Sequence, residues 1–238
     1  MSKRVPTCCL VAWLLTAVPA SAQTTSIRVT EAMSSSGVGG TADWFEVSNY
    51  SGSAIDISGW RMDDNSFAFA NSVALNLSGS SIAANQTVVF IETSTLDPAA
   101  EVASFRSFWG GTASTSVIGT YAGSGISFSS AGDGLVLFNS LGTEATPRAT
   151  FGAATAGSSF YYAYDAAGNP STSPNSNAVV STAGLLGGQD TYLSATTLPQ
   201  NTGSPGTAVA VPEPSTLVLG GCGVALAAWA CRRRASVR

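Results

Sequence analysis

Six carboxylates in the central part of the chain have spacings that chemistry would use: Asp43, Glu46, Asp56, Asp63, Asp64 and Asp133. Two acids held roughly 5–9 Å apart across a cleft would suit hydrolysis of a glycosidic bond. Asp63, Asp64 and Asn65, joined by a distant acid, present the hard oxygen ligands that calcium takes. Their spacing is not that of a helix–loop–helix calcium loop, and the same three residues are ordinary turn composition. The aromatic residues suggest a second chemistry. Trp44 and Trp60, with Phe67 and Phe69, are of the type that stacks on sugar rings, and Tyr162 and Tyr164 alternate onto one strand face. The same rings serve equally well as core or sheet-face packing.

Absences narrow the chemistry further. The chain has no histidine, which removes the Ser-His-Asp triad, the Cys-His pair, His-ligated zinc and the imidazole base. Its four cysteines (Cys8, Cys9, Cys222 and Cys231) all lie in two apolar segments near the ends. The body between them has no disulfide framework, no thiol nucleophile and no thiolate metal site. Apart from calcium, no cofactor is expected. The body carries four arginines (Arg28, Arg61, Arg106 and Arg148) against thirteen acids, leaving it near −9. A lysine-free acidic surface repels phosphate backbones, so nucleic acid is not an expected partner.

The two apolar segments read as addresses. Lys3 and Arg4 precede the apolar run Cys8–Val18, and Ala20-Ser21-Ala22 is a small-x-small cleavage site with Gln23 as the first mature residue. Residues 1–22 therefore read as a secretory signal peptide removed by signal peptidase. At the other end, Val211-Pro212-Glu213-Pro214-Ser215 precedes an uncharged run, and Arg232-Arg233-Arg234 follows it. Leu217–Cys231 as a helix would span roughly 22 Å, short of a full hydrocarbon core. Counting from Ser215 or Thr216 lengthens it, and local thinning absorbs the rest. Residues 216–231 are thus expected to form a single transmembrane helix. The arginines would hold 232–238 in the cytoplasm and leave the body outside. Pro212 and Pro214 fix φ and remove two N–H donors, so the segment before the helix is extended and accessible.

Pro-Glu-Pro, apolar helix and arginine cluster, in that order, closely resemble the PEP-CTERM sorting signal of Gram-negative bacteria. The resemblance implies recognition and processing by a membrane-embedded exosortase, with residues 207–238 as the signal.

The acids and aromatics of the body need strands to position them. Ile27–Met33 alternates, with Ile27, Val29, Glu31 and Met33 on one face, and Asp43–Asn49 alternates with Phe45 and Val47 opposite Trp44, Glu46 and Ser48. Further short strands are predicted over 54–57, 60–62, 73–77, 87–92, 116–121, 135–138, 147–151 and 159–164, separated by Gly/Asn/Ser turns. Leu96–Trp109 is the one helical stretch, with Asp97 as cap and Pro98 at its first position. Residues 165–205 are weakly patterned and read as irregular wrapping and stalk. Many short strands and one helix predict an all-β, antiparallel sandwich.

A second resemblance rests on Asp43-Trp44-Phe45-Glu46 with Asn49, Ile55-Asp56-Ile57-Ser58-Gly59-Trp60, Gly132-Asp133-Gly134 and Gly203-Ser204-Pro205-Gly206. These blocks resemble the lamin-tail domain, and the resemblance covers 23–206. It implies an immunoglobulin-like sandwich, a scaffold role for Asp43 and Glu46, and an accessory or interaction module without catalysis. The expected protein is exported and tethered at the cell envelope or displayed in the extracellular matrix, where a matrix polysaccharide is a candidate partner. A carbohydrate- or calcium-dependent adhesion module is the rival reading, and an exported hydrolase a remoter one. The rival predicts exposed, coplanar aromatics; the structural reading predicts them buried.

Overall fold

Alternating apolar residues of high strand propensity become strands where the sequence places them. The computed structural model describes residues 26–37, 41–94, 97–123, 126–162, 164, 179–180, 192–194 and 200–207. β1 (Ile27–Met33), β2 (Trp44–Asn49), β3 (Ile55–Asp56), β4 (Arg61–Asp63), β5 (Val73–Asn76), β6 (Ser81–Ile82) and β7 (Thr87–Thr93) come first. Helix α1 (Pro98–Trp109) and a 3-10 turn (Gly111–Ser114) follow. Asp97 accepts from the Ala99 N–H at 3.2 Å, and Pro98 opens the helix where no N–H is needed. Then come β8 (Val117–Ala122), β9 (Asp133–Phe138), β10 (Ala149–Phe151), β11 (Phe160–Tyr161), β12 (Val179–Val180), β13 (Tyr192–Leu193) and β14 (Thr202–Gly203).

Ten strands hydrogen-bond in the order β10-β9-β4-β5-β8-β7-β2-β1-β11-β12. This sheet folds over on itself. Phe151 on β10 stacks on Phe160 of β11 with centroids 5.0 Å apart, though the two strands stand near opposite ends of the order. The Tyr162 hydroxyl donates to the Thr150 carbonyl across the same gap, at 3.2 Å. The result is a β-sandwich whose inner core runs through Phe45, Phe90, Phe128, Phe151 and Phe160.

Two features correct the sequence expectation. The sandwich is not purely antiparallel: β7 and β8 pair in parallel, from Val88 opposite Val117 to Thr93 opposite Ala122. A parallel pair needs a long crossover, and α1 with the 3-10 turn supplies it. The second correction concerns faces. The β1–β2 register shifts between Val29 and Glu31. This bulge at Thr30 reverses the alternation beyond it. Ile27, Val29 and Ala32 point into the sandwich core, whereas Met33 joins Trp44 on the outer face and Glu31 faces the same way.

That outer face is covered. Phe105, Phe108 and Trp109 of α1 pack on Met33, Trp44, Val89 and Ile91. Trp109 meets Trp44 edge-on, with centroids 5.6 Å apart. On the other half of the sheet, the β4–β5 loop lays Phe67 so close to Gly134 that a Cβ there would meet the ring at 2.6 Å.

Phe45 is fully buried and stacks on Phe90 with centroids 5.3 Å apart. Phe45→Ala is expected to destabilise the fold by about 3–5 kcal/mol through lost transfer energy and an unfilled cavity. A lowered urea midpoint with an unchanged denaturant slope would show it.

Candidate functional site

The bulge brings two acids face to face. Glu31 on β1 lies directly opposite Glu46 on β2, and both are fully buried. Like charges opposed across a strand pair repel, and burial penalises each ionised form. The surrounding chain answers with donors. Glu31 Oε1 accepts from the Ser159 hydroxyl and from the Ser204 N–H at 2.8 Å, and its Oε2 accepts from the Ser204 hydroxyl at 2.7 Å. Glu46 Oε1 accepts from the Thr30 hydroxyl at 2.6 Å, and its Oε2 from the Gly206 N–H at 2.7 Å. All four carboxyl oxygens therefore have donors.

Ser204-Pro205-Gly206 thus forms a strap across the outer face of β1 and β2. Gly203 has no room for a side chain, since a Cβ would come within 2.9 Å of Glu31 Oε1 and 3.0 Å of the Trp109 ring. Gly206 turns with φ of 87°, in the left-handed region that favours glycine. Thr112 of the 3-10 turn donates its hydroxyl to the Pro205 carbonyl at 3.0 Å and meets the Thr207 hydroxyl at 2.8 Å. So the stretch read from sequence as irregular wrapping and stalk ends, at 201–206, in buried and tightly bonded chain. Asn201 and Ser204 are fully buried: Ser204 brings the donors that Glu31 requires, and Asn201 Oδ1 accepts from the Gly37 N–H at 3.1 Å.

Burial raises Glu31 to about 7, against the lowering effect of its Ser159 and Ser204 hydrogen bonds. Burial, then the neighbouring Glu31, pushes Glu46 well above the usual carboxylate range. The arrangement is a latch. Its oxygens are occupied by protein donors, and none is presented to a substrate.

The other carboxylates close local structure. Asp43 Oδ2 accepts from the Phe128 N–H at 2.9 Å, tying the 126–128 segment to β2, and burial and then Glu92 raise this group to about 6. Asp56 Oδ1 accepts from the Ser58 N–H at 2.8 Å. Asp63 Oδ2 accepts from the Ser66 hydroxyl at 2.6 Å and the Ala68 N–H at 2.7 Å, while Asp64 Oδ1 accepts from the Ser66 N–H. Asp133 accepts from the Asn65 and Ser129 backbone N–H groups, so Asn65 enters through its backbone. Among the described residues, no three acids, cysteines or histidines are grouped closely enough to hold a metal ion.

The aromatic candidates do not form a platform. Trp44 lies in the outer cluster under α1 and Trp60 in the inner core, so the sheet itself separates them. Tyr162 is buried, and Tyr164 donates its hydroxyl to the Val29 carbonyl at 2.8 Å. Residues Ala20, Ala22, Gln23, Val211–Ser215 and Arg232–Arg234 lie outside the described residues. No helix among the described residues is long and apolar enough to cross a membrane.

Sequence reasoning weighed Glu46 but missed Glu31, Ser159 and Ser204. The available signal was Glu31 itself: an acid assigned to the same face as Ile27, Val29 and Met33 is a conflict that a bulge resolves.

The latch makes stability depend on pH. Folded Glu31 holds its proton more tightly than the unfolded chain, whose value is near 4.5. Its contribution is fully present below 4.5 and is lost as pH rises through about 7. Asp43 acts in the same direction. Unfolding free energy is expected to fall across this window, by up to about 3 kcal/mol from Glu31 alone. Glu31→Gln should flatten that slope in urea titrations between about pH 5 and about pH 8; an unchanged slope would assign the dependence elsewhere.

No curated protein and no solved structure matches the chain. Residues 210–234 match the PEP-CTERM protein-sorting motif. Residues 20–154, from before β1 to beyond β10, match the Lamin Tail Domain model, leaving the Ser-Pro-Gly strap outside the match. With more than half its length in that match, the chain belongs to the lamin tail domain family and carries a PEP-CTERM sorting motif at its C-terminal side.

Proposed function

We propose that this protein is exported, tethered by residues 216–231, processed by an exosortase-like enzyme, and displays its sandwich at the cell envelope or in the extracellular matrix. The observation that carries this reading is the order Val211-Pro212-Glu213-Pro214-Ser215, apolar run, Arg232-Arg233-Arg234, within the 210–234 match to the sorting motif. The leader with Ala20, Ala22 and Gln23 supports export through signal peptidase. A membrane-seated enzyme needs an accessible, non-helical substrate, which two alternating prolines provide. The arginines hold the far side of the helix in the cytoplasm.

The body acts as a non-catalytic interaction module. Support comes from the latch, whose acids are buried and hydrogen-bonded, and from a described body that holds neither histidine nor cysteine. A matrix polysaccharide remains a proposed partner, met on the outer surface and not through the buried tryptophans.

Intact mass of the mature protein, taken from envelope and medium of the native host, tests the sorting reading. Wild type is expected to lose its tail near Val211–Ser215, and a Pro212-Glu213-Pro214 to Ala-Ala-Ala variant to stay full-length in the envelope. If both keep Leu217–Arg238, the segment is an anchor only and processing is excluded.

A further inference from the structure

Strand register gives the body two unlike ends. β1 and β7 finish where β2 begins, with Met33 opposite Trp44 and Trp44 opposite Ile91. β8 runs with β7, so it finishes there too. β4 also finishes and β9 begins at this end, since Met62 lies opposite Val73, Leu75 opposite Tyr121, and Asp63 opposite Val136. Helix α1 follows β7 and leads back to the start of β8, so its N-terminus is here as well. Seven acids collect at this end: Asp43, Asp63, Asp64, Glu92, Asp97, Glu101 and Asp133, of which Asp63 and Asp133 are buried and the other five at least partly exposed.

The opposite end carries few acids and holds arginines instead: Arg28 near the start of β1, Arg61 at the start of β4 and Arg106 in the last turn of α1. The 3-10 turn leads into the start of β8 there. From Val102 to Ile118, which covers most of α1, the 3-10 turn and the start of β8, the chain contains no acid, and Arg106 is its one charged residue. Asp56, on the β3–β6 pair, is the acid that remains on this side among the described residues. Glu31 and Glu46 are buried, and Glu144 pairs with Arg148 at 2.7 Å.

The strap leaves the body beside this uncharged turn, through the contact of Thr112 with Thr207. Ten residues lead from Thr207 to Leu217, where the apolar run starts. Even fully extended they reach about 35 Å. A strand as long as β7 measures about 20 Å. With the tail exit downward, the acidic end stands farther from the bilayer than a Debye length of about 8 Å. Turned over, the same body would press five partly or fully exposed acids, Asp43, Asp64, Glu92, Asp97 and Glu101, toward anionic headgroups.

We propose that in the tethered protein the acid-poor, arginine-bearing end, at the turn Gly111–Ser114 with Thr115, Ser116 and Thr207, faces a surface of anionic phospholipid headgroups, and the acidic end faces away. The proposal rests on the tethering reading above. Thr115 is exposed at the near end and Asn65 at the far end.

The test uses the full chain with its four cysteines replaced by serine and a fluorophore on Thr115→Cys or Asn65→Cys. Vesicles of phosphatidylethanolamine and phosphatidylglycerol carry a nitroxide-headgroup quencher. Co-sedimentation with the vesicles is measured first, then quenching of the bound protein. Quenching several-fold stronger at 115 than at 65 is expected. A chain that does not co-sediment overturns tethering, and the orientation with it. A chain that co-sediments but is quenched equally at both positions, more at 65, or at neither keeps its tether and overturns the orientation.

Discussion

Two carboxyl groups buried across a single strand pair cannot be left without donors, and the rest of this structure is arranged around that requirement. Glu31 and Glu46 face each other because β1 carries one extra residue at Thr30. Strand, hydroxyl and strap each meet part of the demand, through Thr30, Ser159, Ser204 and Gly206. The donors lie up to 173 positions in sequence from the acid they serve. Such a polar network contributes little to net stability compared with an apolar core of equal volume. Its effect is to select one arrangement, since a strap displaced by a residue would leave a buried acid unsatisfied.

The latch and the helix depend on each other. Without the bulge, Met33 would turn into the sandwich core and α1 would lose part of the apolar surface it covers. Without α1 and its 3-10 turn, Thr112 would not reach Pro205 and Thr207, and β8 could not return parallel to β7. Gly203 then has to be small because the Trp109 ring and Glu31 occupy the space on either side. Packing on the outer face and polar closure on the same face are thus one construction, built on the face that a plain sandwich would expose to water.

Membership of the lamin tail domain family accounts for the scaffold, and the sorting motif for the address. The strap joins the two. It binds the chain at Gly206 to Glu46 on β2, a few residues before the Pro-Glu-Pro segment begins. The length of chain between latch and sorting motif is therefore set by where Gly206 is held.

Much of this was legible in the sequence. Charge, apolar length and proline spacing marked the sorting motif at the C-terminal side, because such a signal is read as a linear segment and needs no tertiary fold. Alternation located most strands, and Asp97-Pro98 located the helix start, because periodicity and caps are local. The face of Glu31 and Met33 was not legible: a one-residue bulge is invisible to a count of alternation, yet inverts every side chain beyond it. Nor was the parallel β7–β8 pair, which depends on where a helix packs and not on either strand's composition. The aromatic candidates went the same way. Their residue types allowed stacking on a sugar or packing in a core, and burial of Trp44 and Trp60 on opposite sides of one sheet was settled by long-range contacts. Amino-acid order by itself determined the sorting motif and where most strands and the helix lie. Tertiary structure decided which acids meet, because two strands and a strap brought from far along the chain must supply four carboxyl oxygens with donors at one point.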